Sequence, residues 1–339
     1  MIGFALRALL LLGLASLPAF AATQTAGEPA GIPLRYLAMN VGNGSPLYGC
    51  WKFKLCREED VRHVREYIDA WQPDVILLSE VYRAAQLTGT EVFGPILPAG
   101  YDGICGQSRD RFTGKLASWY ADNASQEHEC VAWKTSRLSY VEGSALSAYA
   151  RNDDYGKRYC RYDVTGFRVR LLLEGTTTIT AVAVHPNSTS AACRTDEIGR
   201  YWRDLAGNDP AVIIGGDLNT NRDEELQVAE RFQVNYSRGL HWGVAAHAGE
   251  YTSIYLGGLI KRQIDHAYSS FGQPCTSCGA IYGTDDLSYG SVLGGYDGHP
   301  RADAGAGLDH RQILVDMLLQ PGEAVLAETA GSIEHDIAR

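Results

Sequence analysis

The chain lacks several features that would place it in large functional classes. Beyond an apolar opening segment, no stretch has the length and continuous apolarity of a membrane span, which argues against helical membrane anchoring. No cysteine stands where that opening segment ends, so a lipoprotein attachment point is missing. Positive charge is scarce: 30 Lys and Arg against 40 Asp and Glu give a formal net charge of -10. That balance disfavours a strongly basic surface that wraps nucleic acid, although a local groove of Lys and Arg remains compatible with a polyanion. No internal repeat at solenoid spacing occurs, and no amphipathic stripe marks a membrane-surface helix.

What is present begins with Met1 to Ala21, whose Leu/Ala-rich centre and Ala19-Phe20-Ala21 ending read as a signal peptide. A secreted or periplasmic protein without a stable membrane anchor is expected. Residues 22–33 read as a loose lead, residues 34–320 as the folded body, long enough for one large domain or two small ones, and residues 321–339 as a small, polar tail. The 339 residues suffice for a hydrophobic core without covalent help. The eight cysteines are therefore read as loop staples of an oxidising compartment. Cys50/Cys56 and Cys275/Cys278 suit small local loops, leaving Cys105/Cys130 and Cys160/Cys193, although spacing alone does not determine connectivity.

The apolar run of AVIIGGDLN, Ala211 to Asn219, predicts a buried strand whose period of two sets Asp217 and Asn219 on one side of its carboxyl end. Gly215 and Gly216 would let the backbone pass closely there. An Asx-stabilised turn is the competing reading of the same residues. Other polar residues also stand at strand exits. Leu34 to Met39 is strand-like and stops at Asn40; Val75 to Leu78 is followed at once by Ser79 and Glu80. A glutamate there is costly to bury unless it is paired or bound to a cation. Phe167 to Leu173 and Thr178 to Val184 read as a hairpin that ends in His185-Pro186. Gln263 to Ser269 carries Asp265, and Leu308-Asp309-His310 precedes a last strand, Ile313 to Leu319.

Two helices are predicted at Arg57 to Trp71 and Asp196 to Leu205, with a further one at Glu224 to Phe232. Between Tyr82 and Arg161 only Cys130 to Trp133 reads as a strand, and the basic and aromatic clusters there fit a substrate groove or a solvated face equally. Gly283 to Gly307 is longer than most structureless connections and reads as a functional or a mobile loop. Carboxylates and an amide at strand exits are hard ligands for magnesium, manganese or calcium, and two histidines can serve as acid and base near neutral pH.

In order and spacing, LAMNV, PDVILLSEV, AVAVHPNS, IIGGDLNT, QIDHAYSS and LDHRQILVDM resemble the endonuclease/exonuclease/phosphatase superfamily. The resemblance implies an α/β fold, a four-layer sandwich of two mainly antiparallel mixed sheets flanked by helices. It implies a monomeric phosphoric ester hydrolase with Glu80, Asn40 and Asp309 around a divalent cation, Mg2+ by preference, Mn2+ or Ca2+ as alternatives. His310, oriented by Asp265, would act on the attacking water. His185 would stabilise phosphoryl oxygens and protonate the leaving oxygen, and Asp217 and Asn219 would align nucleophile and phosphate, with Asp217 as the general base the alternative. DNA is the expected substrate; a small phosphate ester or a phospholipid headgroup is the alternative, and a non-catalytic binding module a remote one. The chain departs from many relatives at Ser79, where they carry Gln, and at Gln312, where they carry Pro.

Overall fold

A computed structural model describes residues 31–41, 58–81, 87, 95–106, 128–149, 164–188, 190–207, 209–220, 242–244, 253–255, 260–262, 264–270, 273–274, 310 and 312–319. The signal peptide, the tail, the helix expected at Glu224 to Phe232, the Gly283 to Gly307 loop and Asp309 lie outside them, as do Cys50, Cys56, Cys160, Cys275 and Cys278.

The strands are β1 (Ile32–Asn40), β2 (Val75–Val81), β3 (Tyr101–Cys105), β4 (His128–Lys134), β5 (Leu138–Tyr140), β6 (Leu146–Tyr149), β7 (Val164–Leu173) and β8 (Thr177–Val184). They continue as β9 (Val212–Asp217), β10 (Trp242–Val244), β11 (Ser253–Tyr255), β12 (Ile260–Arg262), β13 (Asp265–Ser269), β14 (Gln273–Pro274) and β15 (Ile313–Leu319). Helix α1 spans Glu58–Trp71 and α2 spans Ala191–Arg200. One sheet has the order β14-β15-β1-β2-β4-β3 and the other β10-β13-β9-β8-β7-β5, with β6 on β7; β11 and β12 form a separate pair. Among the described strands only β1/β2 and β8/β9 run parallel, so both sheets are mixed and mainly antiparallel, as the resemblance implies.

Period-two alternation explains the layering. Leu34, Tyr36, Ala38, Val75 and Leu77 face Val169, Leu171, Ala181, Ala183 and Ile213 between the sheets. The alternate residues Leu37, Met39, Ile76 and Leu78 pack on Val64, Tyr67 and Ile68 of α1. Val182, Val184, Val212 and Ile214 pack in the same way on Ile198, Tyr201 and Leu205. Each fully buried aliphatic side chain contributes about 1.5–3 kcal/mol before entropy is counted. Where the sheets come closest, a Cβ at Gly215 would stand 2.8 Å from the Ala38 Cβ, so glycine is needed there.

Several boundaries differ from the sequence reading. Strand β1 begins at Ile32, not after the lead, because Ile32 and Pro33 pair with Leu319 and Leu318. The second strand continues through Ser79 and Glu80 to Val81, with a register shift between Leu78 and Val81. Helix α2 begins five residues early, at Ala191, because the Ser190 hydroxyl caps it by accepting from the Cys193 amide. It ends at Arg200, and Tyr201–Ala206 forms a wider π-helical turn in place of a continued α-helix. A Cβ on Gly166 would meet Tyr201 and Leu205 at 2.8 and 2.9 Å, so this glycine makes room for the turn on β7. The segment read as largely irregular holds four strands, β3 to β6. Cys105 and Cys130, register partners on β3 and β4, form a disulfide, and Cys193 is also disulfide-bonded.

Candidate active site

The parallel strands β1 and β2 end side by side in one sheet, and β8 and β9 end side by side in the other. Asn40, Glu80, His185 and Asp217 thereby come to one edge of the sandwich. Asp265 is the register partner of Asp217 across β9 and β13, and His310, just before β15, reaches over both. Positions 80 and 310, 230 residues apart in sequence, both come beside Asp217 because the two sheets face each other.

Asp217 is the centre. It is 2% exposed, and its Oδ2 lies 3.6 Å from the Nε2 atoms of both His185 and His310. The His185 Nε2 is also 3.5 Å from Glu80 Oε1. The Asn40 amide nitrogen donates to Glu80 Oε1 and to Asp217 Oδ2, each at 3.2 Å, so it spans the two carboxylates. Burial raises the Asp217 pKa and Asp265 adds to the rise; positive charge on His310 or His185 and the Asn219 amide oppose it.

His310 Nδ1 lies 2.8 and 3.0 Å from the two Asp265 oxygens. A neutral imidazole so held donates from Nδ1 and leaves the Nε2 lone pair facing Asp217. His185 has a related arrangement that the sequence reading missed. Glu129, wholly buried on β4, places Oε1 3.9 Å behind His185 Nδ1. The signal was an acidic residue within an apolar strand, HECVAWK, the same oddity that singled out Glu80.

Asn219 reaches the site by a turn, which corrects the expectation that strand alternation places it. Strand β9 stops at Asp217, the Asn219 amide donates to Asp217 Oδ1 at 2.7 Å, and Asn219 has φ 49°. The Asx turn and the site are therefore the same structure, not rivals. The Asn219 side chain donates to the Pro186 carbonyl at 3.0 Å and ties this turn to the segment after His185. Below it, His266 Nε2 holds the Thr220 carbonyl at 2.8 Å.

Glu197 on α2 secures the other side of that segment: its Oε2 accepts from the Asn187 amide at 2.6 Å. Burial pushes the Glu197 carboxyl up to about 7; Asp196 adds to the rise, and the Asn187 amide, His185 and Arg200 oppose it. Because the native state holds this proton more tightly than the unfolded chain, the associated stability is full below about pH 4.5 and is lost as pH rises towards 7. Glu197→Gln keeps an oxygen for the Asn187 amide and removes the charge. Urea midpoints should coincide near pH 4, with the variant more stable at pH 8 by about 2–3 kcal/mol. Equal stability at pH 8 would show that the carboxylate is not strained there.

Two groups of possible ligand atoms, each within 4.8 Å of one another, share Asp217: Glu80 with His185 and Asp217, and Asp217 with Asp265 and His310. Hard carboxylate oxygens with imidazole nitrogen suit a divalent cation, and such a cation would offset the crowded negative charge around the buried Asp217. The donor chemistry therefore fits the metal that the fold implies.

A solved endonuclease/exonuclease/phosphatase from Bacteroides vulgatus matches with TM-score 0.54 and 16% identity, covering 85% of this chain and 100% of that one. The human Nocturnin catalytic domain with bound sulfate anion gives TM-score 0.53 at 16% identity, over 84% of this chain and 92% of that one. The Bacteroides thetaiotaomicron mannosyl-6-phosphatase gives 0.51 at 12%, over 84% and 99%. At these identities the likeness is one of fold. No curated protein sequence matches the chain. Residues 39–288, more than half of the chain, match the sequence pattern described as the Endonuclease/Exonuclease/phosphatase family. With this match and the two-sheet architecture together, the chain belongs to the Endonuclease/Exonuclease/phosphatase family.

Proposed function

We propose that the protein is a secreted, divalent-metal-dependent phosphodiesterase that acts on DNA. The observation that carries the phosphoester-hydrolase part of this reading is Asp217 flanked at 3.6 Å by two imidazole Nε2 atoms, with Glu80 alongside. Two proton-handling groups on either side of one carboxylate suit an in-line displacement at phosphorus, where one proton must leave the nucleophile and another must reach the leaving group. A divalent cation held by Glu80, Asn40 and Asp309, with Mg2+ preferred and Mn2+ or Ca2+ acceptable, would supply neutralisation of charge on the phosphate oxygens.

His310, fixed by Asp265, takes the proton of the attacking water, and the positive charge that results stays on its imidazolium, offset by the Asp265 and Asp217 carboxylates. The new phosphorus–oxygen bond forms as the bond to the leaving oxygen breaks. His185, with Glu129 behind it, delivers a proton to that oxygen. Asn219, beside the same turn, aligns the phosphate. Secretion is supported by the leader-like Met1 to Ala21 and the Cys105–Cys130 disulfide. Among the described residues, no helix is long and apolar enough to cross a membrane.

A second reading is favoured by the net charge of -10, which weakens polyanion binding: a phosphatase or phospholipase C-type hydrolase acting on inositol phosphates, nucleotides or a sphingomyelin-like headgroup. The same residues would serve either substrate. The test is a parallel assay of purified mature protein on plasmid DNA, a nonspecific phosphodiester, inositol phosphates, nucleotides and sphingomyelin, with Mg2+, Mn2+, Ca2+ or chelator. Chelator-sensitive nicking of plasmid is expected. Selective headgroup or phosphate release moves the assignment to the second reading, and no hydrolysis with any ion removes both.

A further inference from the structure

Ser79, Val184 and Gly216 each immediately precede a residue of the site, namely Glu80, His185 and Asp217, and the three meet beneath it. The Ser79 hydroxyl is fully buried and donates to the Val184 carbonyl at 3.0 Å. A side chain of the first sheet thus bonds the backbone of the second. Gly216 is the register partner of Val184, and a Cβ there would stand 2.1 Å from the Val184 oxygen and 2.8 Å from the Ser79 Oγ. The hydroxyl occupies the room that this glycine leaves.

On its other side, the Ser79 carbonyl accepts from the Val41 amide at 3.0 Å. The next residue, Glu80, has φ 59° at the register shift in β2. A left-handed conformation in a glutamate is strained and persists only where its neighbours impose it. Ser79 is restrained in both directions, so the strained step falls on Glu80. Asn40, the register partner of Ser79, makes a second link between the sheets one level higher, from Glu80 to Asp217.

We propose that Ser79 is a positioning residue: its buried hydroxyl joins the two sheets under the site and holds the left-handed turn that presents Glu80 to a divalent cation beside Asp217. This role rests on the metal-dependent reading above. It also gives a physical content to the departure at position 79, because the short hydroxyl makes the contact to Val184 directly.

The test compares Ser79→Ala with the wild type by calorimetric titration with Mn2+ and by steady-state hydrolysis of a phosphodiester. Ser144→Ala is the control, because Ser144 is also buried and its hydroxyl accepts from the Arg170 amide at 2.9 Å away from the site. Losing the Ser79 hydroxyl should weaken Mn2+ binding and lower kcat by roughly 10- to 100-fold, with KM changed far less. The control should lose comparable stability in urea and keep both values. Wild-type Mn2+ affinity in Ser79→Ala, or equal losses in the control, would overturn the positioning role. Absence of Mn2+ binding in the wild type would overturn the metal-dependent reading itself, and this role with it.

Discussion

His310→Ala should lower phosphodiester hydrolysis by roughly 10²–10⁴-fold while leaving the folded structure intact. What His310 contributes is an Nε2 aimed at Asp217 Oδ2, at 3.6 Å, with Nδ1 anchored on Asp265 at 2.8 Å. The anchor makes a second, sharper expectation. Asp265→Asn can donate to Nδ1 and so favours the tautomer whose lone pair points away from Asp217. A loss within the same range is expected despite near-identical shape, as in catalytic triads where the orienting carboxylate is amidated. Initial rates on plasmid or a chromogenic phosphodiester decide the matter. If His310→Ala and His185→Ala both turn over at wild-type rates with native circular dichroism, the two imidazoles are not the acid and base.

Asp217→Asn should have an equally large effect on activity and an opposite one on stability. Burial pushes the Asp217 pKa up, so in chelator-treated protein the ionised form is disfavoured in the native state. The native state therefore binds this proton more tightly than the unfolded chain does. Stability associated with it is present below the ordinary carboxylate range and falls as pH rises through the raised native value. The amide removes that slope. Metal-free variant should melt above metal-free wild type at pH 7, while hydrolysis falls by about 10²-fold or more. Adding Mn2+ should raise the melting temperature of the wild type and scarcely move the variant. A variant that melts lower than wild type without metal would mean that Asp217 is held by favourable contacts and not poised for a cation.

The parts of this molecule that could be read from its residues are those buried on both faces. β1, β2, β8, β9 and β15 are nearly continuous apolar runs because a helix or loop covers one side and the second sheet the other. A carboxylate or imidazole at the end of such a run stands out, which is why Glu80, His185 and Asp217 were visible. β3 and β5 were not, since Asp102 and Ser139 are exposed and each strand is short. The start of α2 was hidden for another reason: Ala191 to Thr195 has no apolar periodicity, and only the Ser190 cap sets it. Glu129 escaped notice because its role depends on β4 lying beside β2, a pairing that no local pattern reveals. Ser79 was legible only as a departure from a familiar pattern; its partner, the Val184 carbonyl, lies 105 residues away.

The pairing of β1 with β15 has a consequence for how the molecule comes into being. The earliest described strand bonds over seven of its nine residues, from Ile32↔Leu319 to Ala38↔Ile313, to the last described one. A chain emerging residue by residue holds β1 with one flank bare until nearly everything else has appeared, and His310 arrives only just ahead of that closing strand. A polypeptide cut short before Ile313 therefore leaves that flank of β1 without its partner, an open edge of the kind that pairs with other chains.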